Sequence, residues 1–226
     1  LNENLDIVDE WFGRTVIHSD RRFTYEEAQA VIEGSEGDYK DDILKLNDLA
    51  QKLREKRFKN GSIDFDRCEV RFDIDEKGKP IGVYFKESKE ANKLIEEFML
   101  LANRRVAEFI GRQRGRQRTM VYRVHDEPNE EKLIRFRDFV MRFGYQFRPT
   151  KGRAVAKAIN KLAHEVKGRP EENAIQSLAV RSMAKALYTT DNVGHYGLAF
   201  KYYTHFTSPI RRYPDMMVHR LLARYL

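Results

Sequence analysis

The sequence predicts an α+β fold in which a mixed sheet packs against several long helices. Three patterns predict it. Residues 91–111 carry apolar side chains at about 100° per residue, the helical period. Residues 70–74 and 81–85 alternate apolar and polar around Glu76-Lys77-Gly78-Lys79-Pro80, as a hairpin does. Thr24 followed three residues later by Glu27 forms a capping box, which satisfies two free N–H groups and opens a helix.

The elements follow in order. Arg14-Thr15-Val16-Ile17-His18 reads as a short strand, and the capping box starts a helix running to about Ile32. Gly34-Ser35-Glu36-Gly37-Asp38 breaks the chain. A charged helix from Asp41 to about Phe58 places Ile43, Leu46, Leu49, Ala50 and Leu53 on one stripe. After the hairpin comes the central core helix, Ala91 to Gly111, with Ile95, Phe98, Met99, Ala102, Val106, Phe109 and Ile110 on its buried face. Glu96 and Asn103 sit on the edge of that stripe, where a half-buried polar side chain needs a partner or a ligand. A strand at Met120-Val121-Tyr122-Arg123-Val124 precedes helices expected at 129–143, 153–166 and 171–188. Proline fits the first helical turn and not the interior, so Pro214 marks the last helix, with Ser208 to Arg212 as the turn leading into it.

The 226 residues include 42 Lys+Arg and 35 Asp+Glu, a net charge of +7, and 41% are hydrophobic and 12% aromatic. That composition is globular, and its positive balance suits a polyanionic partner. One cysteine, Cys68, cannot form an internal disulfide, which fits a reducing compartment and a cytoplasmic location. The longest uninterrupted apolar stretch, Phe98 to Ala102, is far short of the ~20 residues that span a bilayer. The chain opens Leu-Asn-Glu with neither an initiator methionine nor a basic-then-apolar leader, and we expect an internal piece of something longer.

Two segments carry candidate chemistry. Between Arg104 and Arg118 there are six arginines (104, 105, 112, 114, 116 and 118) against one acid, Glu108. Such a run is either a solvated linker or a phosphate-contacting loop; a second basic run spans Arg142 to Arg153. The stretch from Gly194 to Leu226 packs His195, Tyr196, Phe200, Tyr202, Tyr203, His205, Phe206 and Tyr213 beside Arg211 and Arg212. Rings interleaved with guanidinium groups suit unpaired bases and their phosphates, while the same rings also serve as core. Arg211 and Arg212 fall at a helix N-terminus, where the backbone dipole disfavours positive charge by roughly 0.3–1 kcal/mol, so the pair reads as an anion site. Metal-binding carboxylates are harder to find. Asp38, Asp41 and Asp42 are most simply caps, and Asp64, Asp66, Asp73 and Asp75 fit polar strand faces. No GxxxxGK, GxGxxG or HExxH pattern occurs, and the six histidines lack paired ligand spacing.

The chain resembles the ribonuclease II and ribonuclease R family of 3′-to-5′ exoribonucleases, and within it the bacterial ribonuclease R branch. The resemblance rests on WFGRTVIHSDRRFTYEEAQ, LAQKLREKR, IEEFMLLAN, VYRVHDEP, GRPEENAIQSLAVRSM and GHYGLAFKYYTHFTSPIRRYPDMMVHR, and covers essentially the whole chain. It implies that residues 1–226 form a single partial catalytic domain of the RNB type, through which single-stranded RNA threads to a magnesium site. It places Arg211 on the family's catalytic arginine, with Arg212, Asp215 and Ser208 supporting it. It makes Tyr122 a candidate base-stacking residue and, with the basic and aromatic runs, Arg104, Arg105, His195, Tyr203 and Phe206 candidate RNA contacts. The family's four aspartates, its terminal-base tyrosine and its flanking barrel domains belong to segments outside these residues, so no metal ligand is assigned here. The partner implied is single-stranded RNA, not a membrane, and the protein is expected to be a monomer. A non-catalytic RNA-binding module remains the alternative.

Overall fold

The computed structural model describes residues 1–63, 69–86, 88–112, 118–148 and 151–226. Cys68, Asp64, Asp66, Arg114 and Arg116 lie outside the described residues. The elements are α1 (Tyr25–Ile32), α2 (Lys40–Lys59), β1 (Glu69–Ile74), β2 (Pro80–Lys86), α3 (Glu90–Gly111), β3 (Tyr122–Val124), α4 (Glu130–Met141), α5 (Arg153–Glu165), α6 (Glu172–Ser182), β4 (Leu187–Thr189), a 3₁₀ turn (Tyr196–Leu198) and α7 (Tyr213–Tyr225). Strands form two antiparallel pairs, β1 with β2 and β3 with β4, and His125 adds a parallel bridge to His195 beyond β3.

Local signals act where expected. The Thr24 hydroxyl accepts from Glu27 N at 3.1 Å while the Glu27 carboxylate accepts from Thr24 N at 2.7 Å, so α1 starts at its capping box. Pro214 sits in the first turn of α7. The hairpin pairs Phe72 with Val83, and Asp75 Oδ1 accepts from Lys77 N and Lys79 N across its turn, which needs Gly78 at φ 78°.

Two apolar cores divide the molecule. In one, Leu133, Phe136 and Val140 of α4 meet Val155, Ile159 and Leu162 of α5 and Ile175 and Ala179 of α6. In the other, Val106, Ala107 and Ile110 of α3 pack with Met120, Tyr122 and Val124 and with Val218 and Leu222 of α7. Gly111 lets this core close, because a Cβ there would stand 2.7 Å from Tyr122 Oη. A buried ion pair joins α2 to α3: Arg57 Nη2 lies 2.5 Å from Glu97 Oε1, and Arg57 Nη1 donates to Ser62 Oγ at 2.8 Å.

Three expectations are corrected. The helix expected over 171–188 ends at Ser182, and Leu187–Thr189 instead pairs with β3, Arg123 opposite Tyr188. The Ala184 carbonyl that would have continued the helix lies 2.9 Å from His125 Nε2. Arg14 to His18 forms no strand; Val16 and Ile17 are exposed. The buried face of α3 runs through Leu94, Glu97, Leu100, Asn103, Val106 and Ile110, whereas Ile95 is 43% exposed. Glu97 and Asn103 belong inside because each is paired there, which apolar periodicity does not register.

Candidate functional site

The Ser208 to Arg212 turn is a built structure. Arg211 N and Arg212 N donate to Ser208 O at 3.3 and 3.1 Å, and Arg212 is the N-cap of α7. Asp215, fully buried one turn into α7, accepts from Ser208 N and from Arg212 Nη2, both at 2.8 Å on Oδ1. One carboxylate therefore ties both ends of the turn, and its charge sits at the positive end of the helix dipole. Arg212 is committed to this staple. Arg211 is exposed, and its side chain makes no hydrogen bond or ion pair among the described residues.

Polar valences are left open around the turn. Asp215 Oδ2, Arg212 Nε and Thr207 Oγ1 are buried and have no hydrogen-bond partner among the described residues. An unsatisfied buried polar atom costs about 1–3 kcal/mol, so three in nine residues mark a place suited to ligand or further protein atoms.

The approach to the turn is pinned from α3. Asn103, 3% exposed, accepts on Oδ1 from Phe206 N at 2.9 Å and Thr207 N at 3.2 Å, and its Nδ2 donates to Tyr203 Oη at 3.3 Å. Thr204 Oγ1 donates to Val121 O at 2.6 Å, and the His219 ring stacks on Phe206 at 4.0 Å. The partner expected for Asn103 is thus the loop itself.

A row of rings leads away from the loop: His205 to Tyr203 at 5.6 Å, Tyr203 to His195 at 5.2 Å and His195 to His125 at 5.1 Å. The Tyr188 hydroxyl lies 2.7 Å from His205 Nδ1, and Arg123 lies over the Tyr188 ring. Burial, then the nearby charges of His125 and Arg123, push the His195 ring down to about 3. Burial and Arg212 push His205 down to about 4, and burial also lowers His125. At neutral pH all three rings are uncharged. His125 Nδ1 accepts from Gly197 N at 2.9 Å, which assigns its proton to Nε2, facing Ala184 O.

The other expected residues divide. Tyr122 and Tyr203, expected as RNA contacts, are 6% and 5% exposed and pack within the core in this structure. Phe206 is half-buried against His219. The Arg105 guanidinium is held by Glu10 at 2.7 and 2.8 Å and by Glu108, fastening the N-terminal segment to α3. Arg104 differs, since its guanidinium lies 5.4 Å from the Phe200 ring centre, Nε has no partner among the described residues, and burial disfavours its charge. Arg112 pairs with Glu108, and Arg118 donates to Tyr225 O. Of the described arginines in this run, Arg104 is therefore the one whose side chain makes no hydrogen bond or ion pair. Sequence reasoning missed Arg123 and Tyr188, which meet only because β4 pairs with β3.

Among the described residues no group of three or more His, Cys, Asp or Glu side chains is placed to hold a metal. No described helix is long and apolar enough to cross a membrane.

The RNB domain family matches residues 1–226. The chain belongs to that family. RNB-family similarity extends to ribonuclease R of Aquifex aeolicus, 41% identical over 94% of this chain and 30% of that protein. It extends equally to a protein of Arabidopsis thaliana named an inactive exonuclease, 34% identical over 100% of this chain and 24% of that protein. Among solved structures, Mycoplasma genitalium RNase R in complex with ribose-methylated single-stranded RNA superposes with a TM-score of 0.81 and 30% identity, over 91% of this chain and 32% of that one. The chain thus spans about a third or less of the RNB-domain proteins it matches.

Proposed function

We propose that this RNB domain works in a 3′-to-5′ exoribonuclease that hydrolyses single-stranded RNA to nucleoside monophosphates, and that it supplies the catalytic arginine, Arg211. One observation carries the reading: an unpaired Arg211 on a turn stapled by the fully buried Asp215, among polar atoms without partners. A guanidinium held rigidly by its backbone, with its own donors free, suits charge developing on a phosphate oxygen. Arg212 and Ser208 position it through Asp215. The names of the relatives and the bound RNA of the Mycoplasma genitalium enzyme support the substrate class.

Magnesium is the cofactor we propose for the whole enzyme, with its ligands outside these residues. The second reading, a non-catalytic RNA-binding module, is favoured by the relative named inactive. One experiment separates them. The 226-residue chain is predicted to bind RNA without degrading it. The same chain preceded by the family's aspartate-bearing segment is predicted to release nucleoside monophosphates when magnesium is added. Monophosphate release by the chain alone contradicts the first part, and no release by the extended protein favours the binding module.

A further inference from the structure

The loop carrying His195 walls a cavity of about 430 Å³, away from the residues that staple the Arg211 turn. Its lining is fixed by hydrogen bonds, one within the loop and three between segments far apart in sequence. Tyr196 N donates to His125 O at 2.7 Å, His195 N donates to Phe200 O at 2.8 Å, and the Tyr196 hydroxyl donates to Gly152 O at 2.7 Å. Ile63 N donates to Gly197 O at 2.9 Å. The cavity is thus preorganised, and little ordering cost remains for a ligand to meet.

Its rim carries charge of both signs. Arg153 and Lys201 line it together with Asp126 and Glu127. All four are exposed, and none makes an ion pair among the described residues. Opposite charges gathered at one cavity without pairing suit a ligand that presents an anion to one side and hydroxyl donors to the other. A guanidinium and an ammonium donate to phosphate oxygens, while carboxylates accept from sugar hydroxyls. The helix that opens at Arg153, α5, has no acidic residue in its first turn and no capping side chain, so its dipole adds to the positive side. His195, Tyr196 and Phe200 supply ring surface for a base. The volume falls within the roughly 300–1,000 Å³ usual for small-ligand sites.

We propose that this cavity binds one ribonucleotide unit of single-stranded RNA, its phosphate on the Arg153 and Lys201 side and its ribose 2′-hydroxyl on the Asp126 and Glu127 side. The inference rests on the single-stranded RNA reading above and adds a second contact point, distinct from Arg211, that distinguishes ribose from deoxyribose.

The test follows the imidazole resonances of the 226-residue chain by NMR during titration with adenosine 5′-monophosphate, its 2′-deoxy analogue and inorganic phosphate. Saturable shifts of the His125 and His195 signals with the ribonucleotide are expected, and about tenfold weaker binding of the deoxy analogue, the size of one lost hydrogen bond to a charged group. Replacing both Asp126 and Glu127 by Ala removes that discrimination and leaves the deoxy analogue binding as before. Replacing both Arg153 and Lys201 by Ala weakens both nucleotides. All these rim side chains are exposed, so the variants keep the fold, which circular dichroism checks. Equal affinity for ribo and deoxy forms, phosphate binding as tightly as the nucleotide, or silent His125 and His195 signals overturns the proposal. A parallel titration with oligoadenylate assigns the failure: a chain that binds RNA with a silent cavity loses only this site, and a chain that binds no RNA loses the wider reading as well.

Discussion

The two cores of this RNB domain are built on different principles. The α4, α5 and α6 core is a conventional apolar contact between helix stripes, with Phe136 meeting Phe147 edge-on at 5.0 Å. Around α3, β3 and α7 the apolar contact is smaller, and buried polar residues do much of the fixing: Asn103, Thr204 and Asp215 are each 3% exposed or less. All three hold the 203–215 segment. Apolar packing secures helices but cannot specify the path of a loop, because it has no direction. Hydrogen bonds do, and leaving one unmade when buried is costly. The contrast assigns scaffold to one core and positioning to the other.

That contrast breaks most readily at Asp215. Asp215→Ala leaves the half-buried Arg212 guanidinium without its counter-charge and frees Ser208 N, so a loss of about 3–5 kcal/mol is expected, as for a buried pair cut on one side; urea unfolding of the chain measures it. Asn103→Ala abandons two backbone N–H groups and the Tyr203 hydroxyl, at an expected cost of about 1–3 kcal/mol. Its signature is local. Amide exchange at Phe206 and Thr207 should accelerate while the α4 to α6 core stays protected, and uniform acceleration through both cores would erase the proposed division.

Acid provides a gentler test. His195 and His205 titrate at about 3 and about 4 when folded, against an ordinary value near 6.5. Below pH 6.5 the unfolded chain binds protons at these rings that the folded chain refuses, so their contribution is complete above 6.5 and declines as pH falls toward 4 and then 3. His205→Gln should flatten that part of the stability profile, and a decline as steep as in the unsubstituted chain would show that His205 is not its source.

How much of this was legible beforehand depends on the range of each interaction. The α1 capping box, the 76–80 turn and Pro214 act within a few residues, and each stands where the pattern places it. Strand β4 was hidden because its partner β3 lies some sixty residues upstream, and Ala184-Lys185-Ala186 favours a helix when considered alone. The buried face of α3 escapes local periodicity for the same reason, since Arg57, which makes Glu97 an interior residue, comes from another helix. The division of labour between Arg211 and Arg212 leaves no such local trace. Asp215 stands four residues after Arg211 and three after Arg212, both spacings of a helical ion pair, and only the folded turn directs its carboxylate to Arg212.

That division is the central claim, and the most direct measurement compares Arg211→Ala with Arg212→Ala in the chain preceded by the family's aspartate-bearing segment, recording unfolding midpoint and single-turnover rate at saturating enzyme. The account predicts that Arg211→Ala unfolds as the parent does, within about 0.5 kcal/mol for an exposed side chain, yet hydrolyses RNA about 10²–10³-fold more slowly, with Arg211→Lys rescuing poorly. Arg212→Ala should lose stability first. An Arg211→Ala rate within a few-fold of the parent, or a stability loss equal to that of Arg212→Ala, would contradict it.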